Sequence, residues 1–192
     1  MTLPRYILRT DRLGMRQYTL ADLDALREIF SDSYAAQFYP AMQETEALER
    51  WIKWSMENYE NYGFGLWALE LIETGRFIGD AGITYQTVEE RKPLEIGYHI
   101  HPLLRGLGYA TEAAHACIEW GFLNLGADFI CSIVDPANAA SIKVASRVHT
   151  SQRGFEGKKG PMLLFNTTVE QYKARPSFVY RKTALAVDKN KP

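Results

Sequence analysis

The sequence predicts one α+β domain, and three observations carry that prediction. Strand-like and helix-like runs follow one another as strand, two helices, three strands, helix, strand, helix and strands, which is not a strict βαβα alternation. Thr74-Gly75 joins two strand-like runs in mid-chain, placing a hairpin at the centre of the sheet. The chain has 192 residues, 46% of them apolar, enough for a single hydrophobic core. The same order counts against a doubly wound nucleotide fold, despite the glycines described below.

The elements follow in turn. RYILRTDRLGMRQY alternates weakly and reads as a first strand kinked or bulged at Thr10-Asp11-Arg12. TLADLDALREIFSD is helical, capped by Thr19, with Leu20, Leu23, Leu26, Ile29 and Phe30 near one face. YAAQFYPAM breaks that pattern at Pro40. TEALERWIKWSMENYENYG is a second helix, striped by Leu48, Trp51, Ile52, Ser55 and Tyr59 and ended by Gly63. FGLWALELIE and RFIGDAGITYQ form the central hairpin. LEIGYHIH alternates, with Leu94, Ile96, Tyr98 and Ile100 on one face and Glu95, Gly97, His99 and His101 on the other. YATEAAHACIEWGFLNLG is a third helix whose small face (Ala110, Ala113, Ala114, Cys117, Gly121) suits close packing on a sheet. FICSIV reads as a buried strand, DPANAASIKVASRV as a turn and short helix, and FEGKKGPMLLFNTT as a last hairpin. A terminal turn over TTVEQYKAR breaks at Arg175-Pro176. The domain is expected over 1–176, with an extension of unassigned structure over 177–192.

Composition excludes several function classes. Net charge is −1, and no basic run marks a nucleic-acid partner. Cys117 and Cys131 form neither a disulfide framework nor zinc spacing, so no metal is expected, and both read as core. The charged start lacks an apolar signal core, and no apolar run reaches the roughly 18 residues of a membrane span. A soluble cytoplasmic protein is expected, as a monomer or homodimer.

The stretch HPLLRGLGYATEA sets Arg105, Gly106 and Gly108 between a strand and a helix. One reading is a tight connection with a surface arginine. The other is an anion cradle. Glycines let an anion approach bare backbone, the first turn of the helix offers unpaired N–H groups, and Arg105 adds positive charge.

The run EIGYHIHPLLRGLGYATEAAHACIEWGF resembles the acetyl-coenzyme A loop of the GNAT N-acetyltransferases, whose pattern [QR]-x-x-G-x-[GA] is met by Arg105, Gly108 and Ala110. RTDRLGMRQYTLADLDAL and VDPANAASIKVA are similar to the opening and to a late helix start of the RimJ/RimL branch, which acetylates ribosomal-protein N-termini. The resemblance spans roughly residues 7 to 172 and implies the GNAT fold. That is a mixed, mostly antiparallel sheet of about seven strands flanked by about four helices, splayed between its fourth and fifth strands.

The resemblance also implies a reaction: transfer of acetyl from acetyl-coenzyme A to a primary amine, a protein N-terminus or a small molecule, by direct attack on the thioester. The backbone from Arg105 through Gly106, Leu107, Gly108, Tyr109 and Ala110 to Thr111 would hold the pyrophosphate. That of His99, Ile100 and His101 would pair with the pantetheine arm as an added strand and offer an oxyanion donor. His101 can instead order the turn before Pro102 and His99 simply line the pocket, and either is a further candidate for a catalytic acid or base. Glu95 stands where some relatives keep a glutamate base, and would either take the amine's proton or serve as a structural carboxylate in the sheet. Asp80, a charge inside FIGDAGI, is a second candidate for the base or for binding the substrate ammonium. Tyr34, Phe38, Tyr39 and Trp54 would wall the acceptor groove, unless they are ordinary helix packing.

Three departures from the family pattern stand out. Ala145 replaces the tyrosine that many relatives place seven residues after the equivalent of Asn138, and Ile133 replaces a glutamate five residues before it. Ser141 is the hydroxyl left to meet the departing thiolate, or else a residue of the helix cap, and Asn138 would bond the pantetheine amide. Val148-His149-Thr150 stands where relatives have Leu-Gly-Phe, which puts the end of that helix in question. These losses leave a rival reading, an acyl-coenzyme A binding module with weak or no catalysis.

Overall fold

The computed structural model describes residues 6–158 and 160–174. The expected extension over 177–192 and the Arg175-Pro176 break lie outside them. The strands are β1 (Leu8–Arg9), β2 (Leu13–Arg16), β3 (Leu66–Leu71), β4 (Phe77–Tyr85), β5 (Leu94–Ile100), β6 (Phe129–Val134), β7 (Ser151–Gly157) and β8 (Gly160–Thr168). The helices are α1 (Leu23–Ile29), α2 (Ser33–Phe38), α3 (Thr45–Tyr62), α4 (Tyr109–Asn124), α5 (Ala139–Val148) and α6 (Val169–Lys173). The sheet order is β1-β2-β3-β4-β5-β6-β8-β7, antiparallel throughout except between β5 and β6.

The α+β expectation holds, with two local differences. The first strand is a hairpin, because Thr10 Oγ1 accepts from Leu13 N at 2.9 Å and folds the Thr10–Arg12 segment into a turn. That makes eight strands among the described residues where about seven were expected. The stretch before Pro40 is a helix, α2, because Asp32 caps it by accepting from Ala35 N at 3.0 Å. Among the described residues there are therefore six α-helices where about four were expected. Gly63 ends α3 in the left-handed conformation (φ 77°), as its sequence predicts.

Alternation along the strands sorts two helical layers. Trp67, Leu69, Ala81, Ile83, Ile96 and Ile100 belong to the core that contains Ala113, Ala114 and Cys117 of α4. A Cβ on Gly121 would come within 2.7 Å of Ile130, so the small face of α4 sets how closely that helix lies on the sheet. Leu66 and Ala68 face the other way, into a core with Leu26 and Ile29 of α1 and Leu48 and Ile52 of α3. Asp80, Gly82 and Thr84 of β4 pair across to His99, Gly97 and Glu95 of β5 on that second face. Cys117 and Cys131 are both buried.

Candidate active site

The site begins where β5 and β6 part. Their parallel pairing holds for Leu94↔Ile130 and Glu95↔Cys131 and goes no further. Side chains bridge the gap in place of the lost ladder. Glu95 Oε1 accepts from Ile133 N at 3.2 Å, and Ser132 Oγ donates to Ile96 O at 3.0 Å. Further out, the Tyr98 hydroxyl meets both Ser141 O and Ser141 Oγ at 3.1 Å. Buried His149 lies 3.1 Å from Ser132 Oγ through Nε2 and 3.3 Å from Thr167 Oγ1 through Nδ1. The residue that replaces the family's glycine thus ends α5 in extended backbone and holds the serine that spans the splay.

A cleft of about 340 Å³ opens into this gap. One wall is Tyr98, His99 and Ile100, and the opposite wall is Asn138, Ser141, Lys143 and Arg147. The glycine loop closes one end, and Tyr34, Phe38 and Tyr39 close another. Hydrogen-bonded pairing in the β4–β5 ladder falls on alternate residues. His101 N donates to Ile78 O at 2.8 Å, so the amides of His101 and, two residues back, His99 face β4. The expectation that these two amides serve the pantetheine arm is therefore corrected by one residue. The peptide groups turned toward the splay are those of Tyr98 and Ile100. His101 instead orders the turn, its Nδ1 accepting from Leu103 N at 3.2 Å, and it does not line the cleft.

Gly106 (φ 81°) and Gly108 (φ 86°) both take the left-handed conformation, and a Cβ on Gly106 would meet nothing within 4 Å. The space above that backbone is open. Tyr109, Ala110 and Thr111 begin α4 beside it and line the cleft, with first-turn N–H groups that have no partner within the helix. Leu107 points outward, and its carbonyl accepts from Arg12 Nη1 at 3.1 Å. Arg12 also pairs with Glu112 at 2.6 Å and lies over the Tyr109 ring, pinning the first hairpin to the start of α4.

Arg105 lines the cleft, but its guanidinium is committed. It pairs with Asp32 at 2.5 Å, donates from Nε to Ile100 O at 3.0 Å and lies over the Tyr34 ring. It clamps the start of α2 to the end of β5 and is not a free phosphate ligand. Asn138 is likewise engaged: its Oδ1 accepts from Tyr34 OH at 2.8 Å and from Ser141 N at 2.9 Å, so Asn138 caps α5 and Tyr34 ties α2 to it. Among the described residues, the unengaged cations on the cleft wall are Lys143 and Arg147, and no aspartate or glutamate lines it. Sequence reasoning missed both, as well as Tyr98. The i, i+4 spacing of Lys143 and Arg147 on a helix behind Asn138 is the signal that could have found them.

On the face of the sheet covered by α1 and α3, Asp80 is 0% exposed and does not line the cleft. Its Oδ2 accepts from Tyr18 OH and Trp51 Nε1, each at 2.9 Å, and its Oδ1 lies 2.6 Å from His99 Nδ1. Burial pushes the Tyr18 hydroxyl well above its ordinary range, with Asp80 adding to the rise, so Tyr18 remains a donor. Asp80 therefore has no oxygen open to a substrate ammonium. Burial pushes the Glu95 carboxyl up to about 7, against smaller opposing effects of Ile133 N, His99 and Gln86. Glu95 does not line the cleft either. Trp54 packs in the helical core against Trp51.

No group of three or more metal-ligating side chains occurs among the described residues, and no helix there is long and apolar enough to cross a membrane.

The fold and this cleft have counterparts. The Bacillus subtilis protein YkkB is 35% identical over 147 residues, 73% of this chain and 83% of YkkB. The crystal structure of an acetyltransferase from Agrobacterium tumefaciens is 27% identical, covers 87% of this chain and 95% of its own, and superposes with a TM-score of 0.73. The aminoglycoside acetyltransferase AAC(6')-Ib, solved with ribostamycin and coenzyme A, shares the fold at 17% identity with a TM-score of 0.73, covering 88% of this chain and 100% of its own. The acetyltransferase (GNAT) domain family matches residues 12–151. A mixed sheet splayed between β5 and β6, a glycine loop feeding α4 and that match over most of the chain together place this protein in the GNAT acetyltransferase family.

Proposed function

We propose that this acetyltransferase moves acetyl from acetyl-coenzyme A to a primary amine, either a protein N-terminus, as in the RimJ/RimL branch that its motifs resemble, or a small amine such as AAC(6')-Ib takes. The observation that carries this reading is the splay itself. The peptide groups of Tyr98 and the N–H of Ile100, whose carbonyl is held by Arg105 Nε, stand open beside a cleft that runs from a glycine-lined helix start to an aromatic wall.

The cleft fits the donor in three respects. The open edge of β5 accepts an extended pantetheine arm as a further strand. Backbone from Gly106 to Thr111 offers N–H groups, with no side chain at Gly106 and Gly108 to crowd them. Lys143 and Arg147 supply positive charge on a wall that has no carboxylate among the described residues. Acetyl-coenzyme A supplies an acetyl thioester whose carbonyl gains negative charge as the amine attacks, and a β5 amide is the donor the chain offers to it. Tyr98 OH and Ser141 Oγ, paired across the splay, stand in for the hydroxyl that Ala145 lacks and meet the departing sulfur. Tyr34, Phe38 and Tyr39 form the acceptor's aromatic wall, where a cation can lie against ring faces.

The test mixes the protein with acetyl-coenzyme A and a panel of N-terminal peptides and polyamines, following free thiol and acetylated product by mass. Thiol release with at least one amine is expected, and binding without release from any amine contradicts the reading. Charge reversal at Lys143 or Arg147 is expected to raise the dissociation constant of coenzyme A by about tenfold at low salt, with the gap closing as salt screens it. Calorimetric titration at two salt concentrations checks this.

A further inference from the structure

His99 and Asp80 form a pair to which acetyl transfer, as described so far, gives no task. We propose that His99 is the general base that takes the proton of the acceptor's ammonium group, with buried Asp80 as its positioning residue. The proposal rests on the acetyl-transfer reading above and deepens it.

The geometry of the pair is specific. Asp80 Oδ2 already holds two donors, Tyr18 OH and Trp51 Nε1, so its Oδ1 is the oxygen presented to His99. A carboxylate at 2.6 Å requires a proton on Nδ1, which leaves the lone pair of a neutral ring on Nε2. The ring cannot readily turn away. Phe30, Tyr39 and Trp51 surround it at centroid distances of 5.1, 4.8 and 5.5 Å, the latter two edge-on. His99 lines the cleft with its side chain 10% exposed. Nε2 has no hydrogen-bond partner among the described residues, yet it is not one of their two sealed and unpaired polar atoms, Asn58 Nδ2 and Trp67 Nε1. It opens on the cleft beside Tyr39, where the acceptor is placed.

The titratable groups around the ring are Asp80 from β4, Glu95 from its own strand, Tyr18 ahead of α1 and Tyr39 after α2. Burial, with Glu95 and Asp80, raises the Tyr39 hydroxyl, and burial raises Tyr18, so neither phenol competes for the proton. Glu95 has one oxygen on Ile133 N and no place on the cleft wall. The proton balance is simple. An ammonium N–H bond breaks, its proton goes to Nε2, and the lone pair left on nitrogen attacks the thioester carbonyl. As the C–S bond breaks, a second proton from that nitrogen ends on sulfur, and Nε2 returns the first to solvent.

Two measurements test this. The first uses the enzyme without substrates. Imidazole ¹⁵N correlation spectra are expected to show His99 protonated on Nδ1, switching to Nε2–H in Asp80→Asn, where an amide replaces the accepting oxygen. The second is the pH profile of kcat/KM. His99→Asn keeps a donor for Asp80 but removes Nε2. It is expected to lower kcat/KM for an alkyl amine about a hundredfold at pH 7, and to cost much less with an alkoxyamine, which is already neutral there. Affinity for acetyl-coenzyme A should stay within about threefold, since uniform binding is not what is removed. An Nε2–H tautomer in the wild type, equal losses for both amines, or an acid limb abolished by Glu95→Gln and kept by His99→Asn overturns the proposal. If the wild type acetylates no amine, the acetyl-transfer reading fails and the assignment of a base falls with it. If it does acetylate and His99→Asn matches it, the base assignment alone falls.

Discussion

Gly108→Val is expected to raise the dissociation constant of acetyl-coenzyme A by about a hundredfold or more while the domain stays folded. Two costs combine. Gly108 sits at φ 86°, a region that a β-branched residue enters at a cost of about 1–3 kcal/mol. The chain relieves that strain by rotating the N–H groups that open α4, and these are the groups proposed to hold the diphosphate. The added side chain also stands near the mouth of the cleft. Gly126→Val is the control: it carries comparable strain at φ 60°, and its Cβ would meet nothing within 4 Å, in the turn after α4. Melting temperatures should fall similarly for the two variants, and affinity only for Gly108→Val. Equal affinities in calorimetric titration would detach the loop from cofactor binding.

Glu95→Gln is expected to flatten the pH dependence of stability. The folded protein holds the Glu95 carboxyl up at about 7, against an ordinary value of 4.5, chiefly by burial. Between those values the native state keeps a proton that the unfolded chain has lost, so wild-type stability falls as pH rises through the window and levels off above it. The full shift corresponds to at most on the order of 3 kcal/mol, and to less for a side chain that is only part-buried. Glutamine keeps an oxygen for Ile133 N and carries no charge at any pH. Denaturant titrations at pH 5 and pH 8 should therefore show the variant gaining on the wild type at the higher pH. Parallel curves would mean that the carboxylate is well solvated across the splay.

What the sequence made legible is local chemistry. A glycine loop before a helix, Gly63 after a stripe and Thr74-Gly75 between two strands each specify their own backbone. Partnerships between distant elements were not legible. Arg105 reads as a phosphate cation until Asp32, 73 residues earlier, claims it. His99 and His101 read as the open edge of β5 until the register with β4 turns their amides inward and opens Tyr98 and Ile100 instead; register is set by long-range pairing, and a one-residue slip reverses every peptide group. Asp80 reads as an odd charge in a strand until Tyr18, from the loop after β2, Trp51 of α3 and His99 of β5 converge on it. The Asp32 cap was readable, since aspartate before Ser-Tyr-Ala-Ala is a helix start. His149 was not, because nothing near it in sequence names Ser132 or Thr167.

Amide hydrogen exchange with and without acetyl-coenzyme A tests the central claim most directly. Before the ligand is added, the amides of His99 and His101 should exchange slowly, bound to β4, while those of Tyr98 and Ile100 exchange fast. On binding, Tyr98, Ile100 and the backbone from Gly106 to Thr111 should become protected together. Tight binding that leaves those positions unprotected would contradict the account.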